Sequence, residues 1–446
     1  MNDFIELAKT EPGRVIVTYG RSLIALMIAR SLGSRGVEVI GCDDVDLTVL
    51  SFSNHVQETC TYRSPREDED GFIEDLLEIV ENHRPNDDRP YVLMPGFDEA
   101  GIIARHADRF GGLIRLACPS IEAIDAVHPK DNFARTVALL DLPGPKTFLP
   151  ETAGKLEEMI ADISFPVFVK PPEEVGGRGI SKIDDAQALK EAFAELEERY
   201  PGQQLLIQEL AEGVDYCFCG LFEKGEMITH MVYRNLQKFP SETGPGVARE
   251  TMDGAPFVEA AAKLMKALDW HGVAEIDFMW DGNPETTPKM IEVNPRFWAG
   301  LDHSIRSEVD FPWLLWQMIA TGQVLVEEVE AAVGRKTRLP GLSSLALLES
   351  TLGAAVDFTK LEETWPDIRR HLKDQELGRA GGIFRDALKE TFNLDEALAA
   401  FRKTGKRMKE AEEIDYGKDD PFIGLGFLFV LSSLWKHGKL PPEMTR

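Results

Sequence analysis

The chain has 446 residues and a formal charge of −27, from 76 acidic against 49 basic side chains. That length exceeds one ordinary hydrophobic core, so about two or three domains are expected, and the acidity argues against broad phosphate-backbone binding and hence against a nucleic-acid partner. Cys42, Cys60, Cys118, Cys217 and Cys219 lack metal-site spacing, and no basic region followed by an apolar run opens the chain, which points to a reducing cytoplasm.

Residues 1–127 alternate strand and helix patterns. Arg14 to Tyr19 reads as a strand, Gly20 as a turn, Ser22 to Leu32 as an apolar helix, and Val37 to Cys42 as a second strand ending at Asp43-Asp44. Such a unit invites a dinucleotide-binding reading, but Gly20-Arg21-Ser22 supplies one glycine where a pyrophosphate needs two or three. Tyr91 to Pro95, ending at Gly96-Phe97-Asp98-Glu99, continues the α/β pattern. The region reads as scaffold, forming one wall of a substrate cleft.

His128-Pro129-Lys130 opens a helix whose buried stripe is Phe133, Val137 and Leu140. Lys130 therefore sits at a helix start, where partial positive charge already favours anions. Phe165 to Lys170 reads as a strand whose terminal lysine precedes Val175-Gly176-Gly177-Arg178-Gly179. Glycines let backbone N–H groups curl around phosphate oxygens; the bland alternative is a flexible hairpin with a solvated lysine. Gln203 to Leu210 runs into a connector, and Gly213 to Phe222 follows as a strand in which Cys217 and Cys219 read as packing residues. Between Met231 and Glu250, Arg234, Lys238 and Arg249 are candidate cations for a substrate carboxylate, with Arg234 and Arg249 expected to act together and Gly244-Pro245-Gly246 allowing the loop to bend.

Val273 to Trp280 and Lys289 to Arg296 alternate with period 2, joined by a turn-rich connector, so an antiparallel hairpin is expected. Ala274, Ile276, Phe278 and Trp280 would share one face, and Ile291 and Val293 one face of the partner. If Trp280 pairs with Lys289, Asp277 faces Glu292 and Glu275 faces Asn294. Like charges directly opposite on a sheet repel unless a cation neutralises them, and hard oxygen donors of this kind suit Mg²⁺. A solvated acidic face is the alternative for the hairpin taken alone.

In this order, over roughly residues 1–325, the motifs resemble the ATP-grasp superfamily, and specifically single-module carboxylate–amine ligases related to the carbamoyl-phosphate synthase large subunit. The resemblance implies a mixed α/β and α+β architecture: a Rossmann-like pre-ATP-grasp domain at 1–127, an ATP-grasp domain with a glycine-rich lid at 128–328, and a mainly helical region at 329–446. It implies that Lys130 and Lys170 contact ATP phosphates, that Gly176, Gly177 and Gly179 form the lid, and that Glu209, Leu210 and Asp215 serve adenine and ribose. Asp277, Glu292 and Asn294 would be the Mg²⁺ ligands, with Mn²⁺ as the alternative ion, and Arg296 would join Lys170 in catalysis at the transferring phosphate. Glu275 has no ligand role in the resemblance. The chain lacks length for a second module, and Phe297 to Leu301 follows Arg296 where a biotin carboxylase would place a glutamate and histidine.

The implied reaction is ATP-dependent activation of a carboxylate as an acyl phosphate, attack by an amine, and release of ADP and phosphate. A carboxylase, a phosphotransferase and a nucleotide-binding regulatory protein are the alternatives. Small-molecule or peptide substrates, and a homodimer, are the expected partners. Towards the end, an amphipathic helix starts at Asn393, and residues 421–435 are apolar but shorter than the ~20 residues needed to span a bilayer. A docked core helix is expected there, with peripheral membrane contact as the alternative.

Overall fold

The computed structural model describes residues 12–171, 181–239, 246–324, 329–339 and 409–416, with Asp420 and isolated positions between 343 and 406. The glycine loop at 176–179, the bend at Gly244-Pro245, and the expected helices at 393–401 and 421–435 lie outside them. Contacts divide the chain into two units, the first drawn from Met1–Arg234, Glu250–Arg335 and Tyr416–Arg446, the second from Asn235–Arg249 and Lys336–Asp415.

The first unit begins with a five-stranded parallel sheet, β1 (Arg14–Val17), β2 (Glu38–Asp43), β3 (Glu58–Thr61), β4 (Tyr91–Met94) and β5 (Arg115–Leu116), in the order β3-β2-β1-β4-β5. The helix Leu23–Gly33 is capped by Ser22, whose Oγ accepts from the Ala25 N–H at 3.0 Å. It is apolar all round because both flanks are covered: it packs against β2 and the helix Phe311–Thr321, with Ser31 Oγ 2.6 Å from Asp310. Ile16, Ile40, Leu93, Phe72 and Phe110 form the core of one face. The strand order reverses at β1, so the loops after β1 and β4 meet where open α/β sheets bind ligands.

The next sheet is antiparallel, with β6 (Thr147–Phe148), β7 (Val167–Lys170), β8 (Ser181–Ile183) and β9 (Leu206–Glu209) ordered β6-β9-β7-β8. Val167, Val169 and Ile207 point one way onto Leu189 and Phe193 of the helix Ala186–Arg199. The alternate positions, Lys170 and Gln208 among them, face the other way.

The third sheet comprises β10 (Val214–Glu223), β11 (Glu226–Lys238), β12 (Gly246–Met252), β13 (Gly272–Trp280) and β14 (Lys289–Asn294), ordered β14-β13-β10-β11-β12. Phe218, Phe222, Ile276, Phe278, Met290 and Val293 pack with Phe257 and Leu264 of the helix Ala255–Ala267. The expected β13–β14 hairpin is present, but Trp280 does not pair with Lys289: Met279 does, and a bulge between Asp277 and Phe278 shifts the register by one residue. Met290, fully buried, therefore takes the core position expected of Ile291, which is half-buried. An extra residue in one strand moves every later side chain to the other face, and that shift restores the pairs Asp277–Glu292 and Glu275–Asn294.

In the second unit, β15 (Lys336–Arg338) and β16 (Glu412–Glu413) pair in parallel, and Val247 packs with Phe239, Leu339 and Leu347. No helix among the described residues is long and apolar enough to cross a membrane.

Candidate active site

Asp277 and Glu292 face each other across β13 and β14, with Glu275 and Asn294 the next facing pair. Burial, then the nearby Glu275 and Glu292 carboxylates, push the Asp277 carboxyl well above the usual range. On its other side Asp277 pairs with Cys217 of β10, and the Cys217 thiol is hydrogen-bonded to it. Cys217, Glu275 and Asp277 bring ligand atoms within 4.8 Å of one another. Cys217 is buried, as a packing residue would be, and β10 also sets it beside Asp277; Cys219 is fully buried opposite Glu275.

Two lysines approach this ladder from separate elements. Lys130, at the start of the helix Lys130–Leu139, places Nζ 3.4 Å from Glu292 Oε2. Lys170, the last residue of β7, donates to Gln208 Oε1 at 2.7 Å. Burial pulls the Lys170 ammonium down to about 8, against the opposing pull of Glu292, while Lys130 lowers it further. Two cations and two carboxylates therefore share one electrostatic neighbourhood.

Arg296 follows β14 and is held on several sides. Its Nη2 donates to Asn294 Oδ1 at 3.3 Å, Nη1 to the Phe297 carbonyl at 3.0 Å, and Nε to Asp98 Oδ1 at 3.1 Å, with the guanidinium 4.1 Å from the Phe97 ring centre. Phe97 and Asp98 belong to the loop after β4, so a loop of the parallel sheet touches Arg296 at the end of the hairpin. Tyr233 Oη donates to Glu275 Oε1 at 2.8 Å, and Asn294 Nδ2 to Glu275 Oε2 at 3.3 Å, which gives Glu275 a positioning role beside the ladder. A Cβ on Gly300 would lie 2.8 Å from Tyr233 Oη, so only glycine leaves that hydroxyl its place. His303 is fully buried, 3.0 Å from Thr251 Oγ1, which in turn lies 2.7 Å from Ser307.

Glu209 ends β9, its carboxylate accepting from the Ser164 N–H at 3.0 Å; the Leu210 N–H donates to the Pro166 carbonyl at 3.2 Å and its side chain is exposed. Asp215 lies on β10 opposite Met279 and adds to the negative field at Asp277. Arg234 pairs with Glu250 at 2.7 Å in the first unit, whereas Lys238 and the buried Arg249 fall in the second. At the end of β2, Asp43 and Asp44, the acidic residues a dinucleotide reading would assign to a ribose, are engaged by Arg21, whose Nε is 2.9 Å from Asp43 Oδ1. Gln208 and Tyr233 carry no site role in the sequence, and Phe97 and Asp98 stand there only as residues at the end of a strand. Each acts on a residue distant in sequence, and only the alternation of Gln208 with Ile207 hinted that it shares a face with Lys170.

Residues 141–300 match the ATP-grasp domain family, and the parallel sheet that precedes them in the chain is Rossmann-like. Among individual proteins, the chain is 24% identical over 236 residues to the carbamoyl phosphate synthase large chain of Clostridium acetobutylicum, covering 50% of this chain but only 21% of that one. It shares its fold with the biotin carboxylase domain of Hydrogenobacter thermophilus 2-oxoglutarate carboxylase in complex with MgADP, ADP and bicarbonate (TM-score 0.56, 17% identity, 72% of each chain covered). An L-amino acid ligase from Bacillus licheniformis is similar in fold as well (TM-score 0.53, 16% identity, 73% of this chain and 78% of that one).

Proposed function

We propose that the chain is an ADP-forming ligase that activates a carboxylate as an acyl phosphate and joins it to an amine. The supporting observation is the meeting of Lys130 and Lys170 with the Asp277–Glu292 pair, cations and carboxylates drawn from one helix and three strands. A polyphosphate and a divalent cation are together what such a face accommodates: the lysines suit the former and the crowded oxygens the latter.

Asp277, Glu292 and Asn294 fit Mg²⁺, with Mn²⁺ as the alternative, because the half-buried Asp277 lies beside two like charges and the set is all oxygen. The bound ion would offset the negative charge of the phosphates. Lys130 and Lys170 would pair with phosphate oxygens, and Gly176, Gly177 and Gly179 would close over them. Glu209 and Leu210 would serve adenine and Asp215 the ribose. A substrate carboxylate oxygen bonds to the γ-phosphorus as the bond to ADP breaks, with Arg296 and Lys170 spreading the charge of the moving phosphoryl group. The amine then bonds to the acyl carbon, phosphate leaves and the nitrogen loses a proton. Arg234, Lys238 and Arg249 are the candidates for the acceptor's own carboxylate.

A screen for ADP release across carboxylate and amine pairs tests this reading. Turnover should need both partners and fall at least ~100-fold in Asp277→Ala and Glu292→Ala, the scale on which removal of charge-stabilising groups acts. Release of AMP and pyrophosphate would exclude the acyl phosphate. Turnover with bicarbonate and no amine would favour the carboxylase alternative, for which the bicarbonate-bound fold relative is the reason to include that arm.

A further inference from the structure

On the edge of the parallel sheet, away from the candidate active site, we propose that Glu58, Cys60 and His83 form a binding site for a zinc-type divalent metal. Glu58 and Cys60 are two residues apart on β3 and so point to the same side. His83 caps the C-terminal end of the helix Glu69–Asn82 and brings its ring to them. One ligand atom from each residue lies within 4.8 Å of the other two.

The distances match a tetrahedral metal. With zinc–sulfur bonds of about 2.3 Å and zinc–nitrogen or –oxygen bonds of about 2.0–2.1 Å, tetrahedral edges are about 3.6 Å for S···N and about 3.3 Å for N···O. Cys60 Sγ is 3.7 Å from His83 Nε2, and Glu58 Oε2 is 3.4 Å from it.

The surroundings prepare the ligands. His83 Nδ1 lies 2.8 Å from the Ile79 carbonyl. A carbonyl can only accept, so Nδ1 donates to it, and that bond turns Nε2 toward Cys60 and Glu58, the orientation that outer-sphere hydrogen bonds give to metal-binding histidines. Cys42 pairs with Cys60 in the β2–β3 register, which fixes Cys60 on the strand next to the sheet interior. A thiolate, an imidazole and one carboxylate select a borderline-soft ion over Mg²⁺. Three protein ligands at an exposed edge, with the Glu58 side chain 62% exposed, leave the fourth position to solvent. Binding exchanges the Cys60 thiol proton for the metal and involves no redox step. Bridging β3 to the following helix, the metal would brace the edge strand of the sheet.

The test is titration of the full-length protein with Co²⁺, and then Zn²⁺ in competition, under a non-chelating reductant. Wild type and Cys217→Ser should both show thiolate-to-cobalt absorption that zinc abolishes; Cys60→Ser should lack it. His83→Gln and Glu58→Gln should weaken cobalt binding at least ~10-fold, and zinc should raise the melting temperature of wild type but not of Cys60→Ser. Glu58 is exposed, so Glu58→Gln remains informative if Cys60→Ser folds poorly. Absence of the thiolate band in wild type would overturn the proposal. So would a band that survives in Cys60→Ser and vanishes in Cys217→Ser, which would put the metal at Cys217, Glu275 and Asp277.

Discussion

A half-buried carboxyl and a buried one show how this chain sets stability against chemistry. Asp277 sits in a low-dielectric strand facing Glu292 with Glu275 close by, an arrangement that destabilises the metal-free protein. Asp277→Asn is expected to stabilise the metal-free protein by about 1–2 kcal/mol in calorimetry while ADP release collapses. Equal or lower stability would mean that the crowding is relieved within the protein itself. Glu99, behind the loop after β4, is 5% exposed, and its Oε2 has no hydrogen-bond partner among the described residues. Burial, with smaller contributions from Asp98 and Asp43, pushes its carboxyl from 4.5 to about 8. In that window the folded form keeps a proton the unfolded chain has released, so stability falls as pH rises through it. The melting temperature of wild type should therefore drop more than that of Glu99→Gln between about pH 5 and about pH 8. Parallel curves would assign the pH dependence to other groups.

Among the elements, the hairpin shows what alternation can and cannot convey. Its period-2 pattern announced two strands and the facing of Asp277 with Glu292, yet the bulge was hidden, because Met290 and Ile291 are both apolar and either satisfies a buried position. In the structure it is Met290 that joins Phe278, Phe257 and Val293 in the packed core. Gly300 carries a second constraint that sequence leaves unstated, since its need to be glycine comes from Tyr233, a residue of β11. Gly300→Ala should cost about 1–3 kcal/mol and reduce turnover by displacing the Tyr233 hydroxyl from Glu275. An unchanged melting temperature and rate would show that the ring can shift without consequence.

At the scale of the whole molecule, the parallel sheet contributes contacts to the candidate site through the loop after β4. Asp98 and Phe97 hold the Arg296 guanidinium from the switch point of that sheet. Asp98→Ala should raise KM for the carboxylate substrate or lower kcat about tenfold, the cost of loosening one charge-assisted hydrogen bond, and leave KM for ATP within twofold, as about 0.4 kcal/mol would be. A matching rise in KM for ATP would place Arg296 in nucleotide binding instead.

The amino-acid sequence by itself determined the succession of elements, the acidic hairpin and the strand-end lysine, because periodicity and turn chemistry are local properties carried by a few neighbouring residues. The convergence of those pieces was a matter for the tertiary structure. Lys130 reaches Glu292, Lys170 reaches Gln208, Arg296 reaches Asp98, and Cys60 reaches His83 only after sheets and helices have packed. Contacts between residues far apart in the chain depend on register, bulges and side-chain volume, which no local pattern encodes.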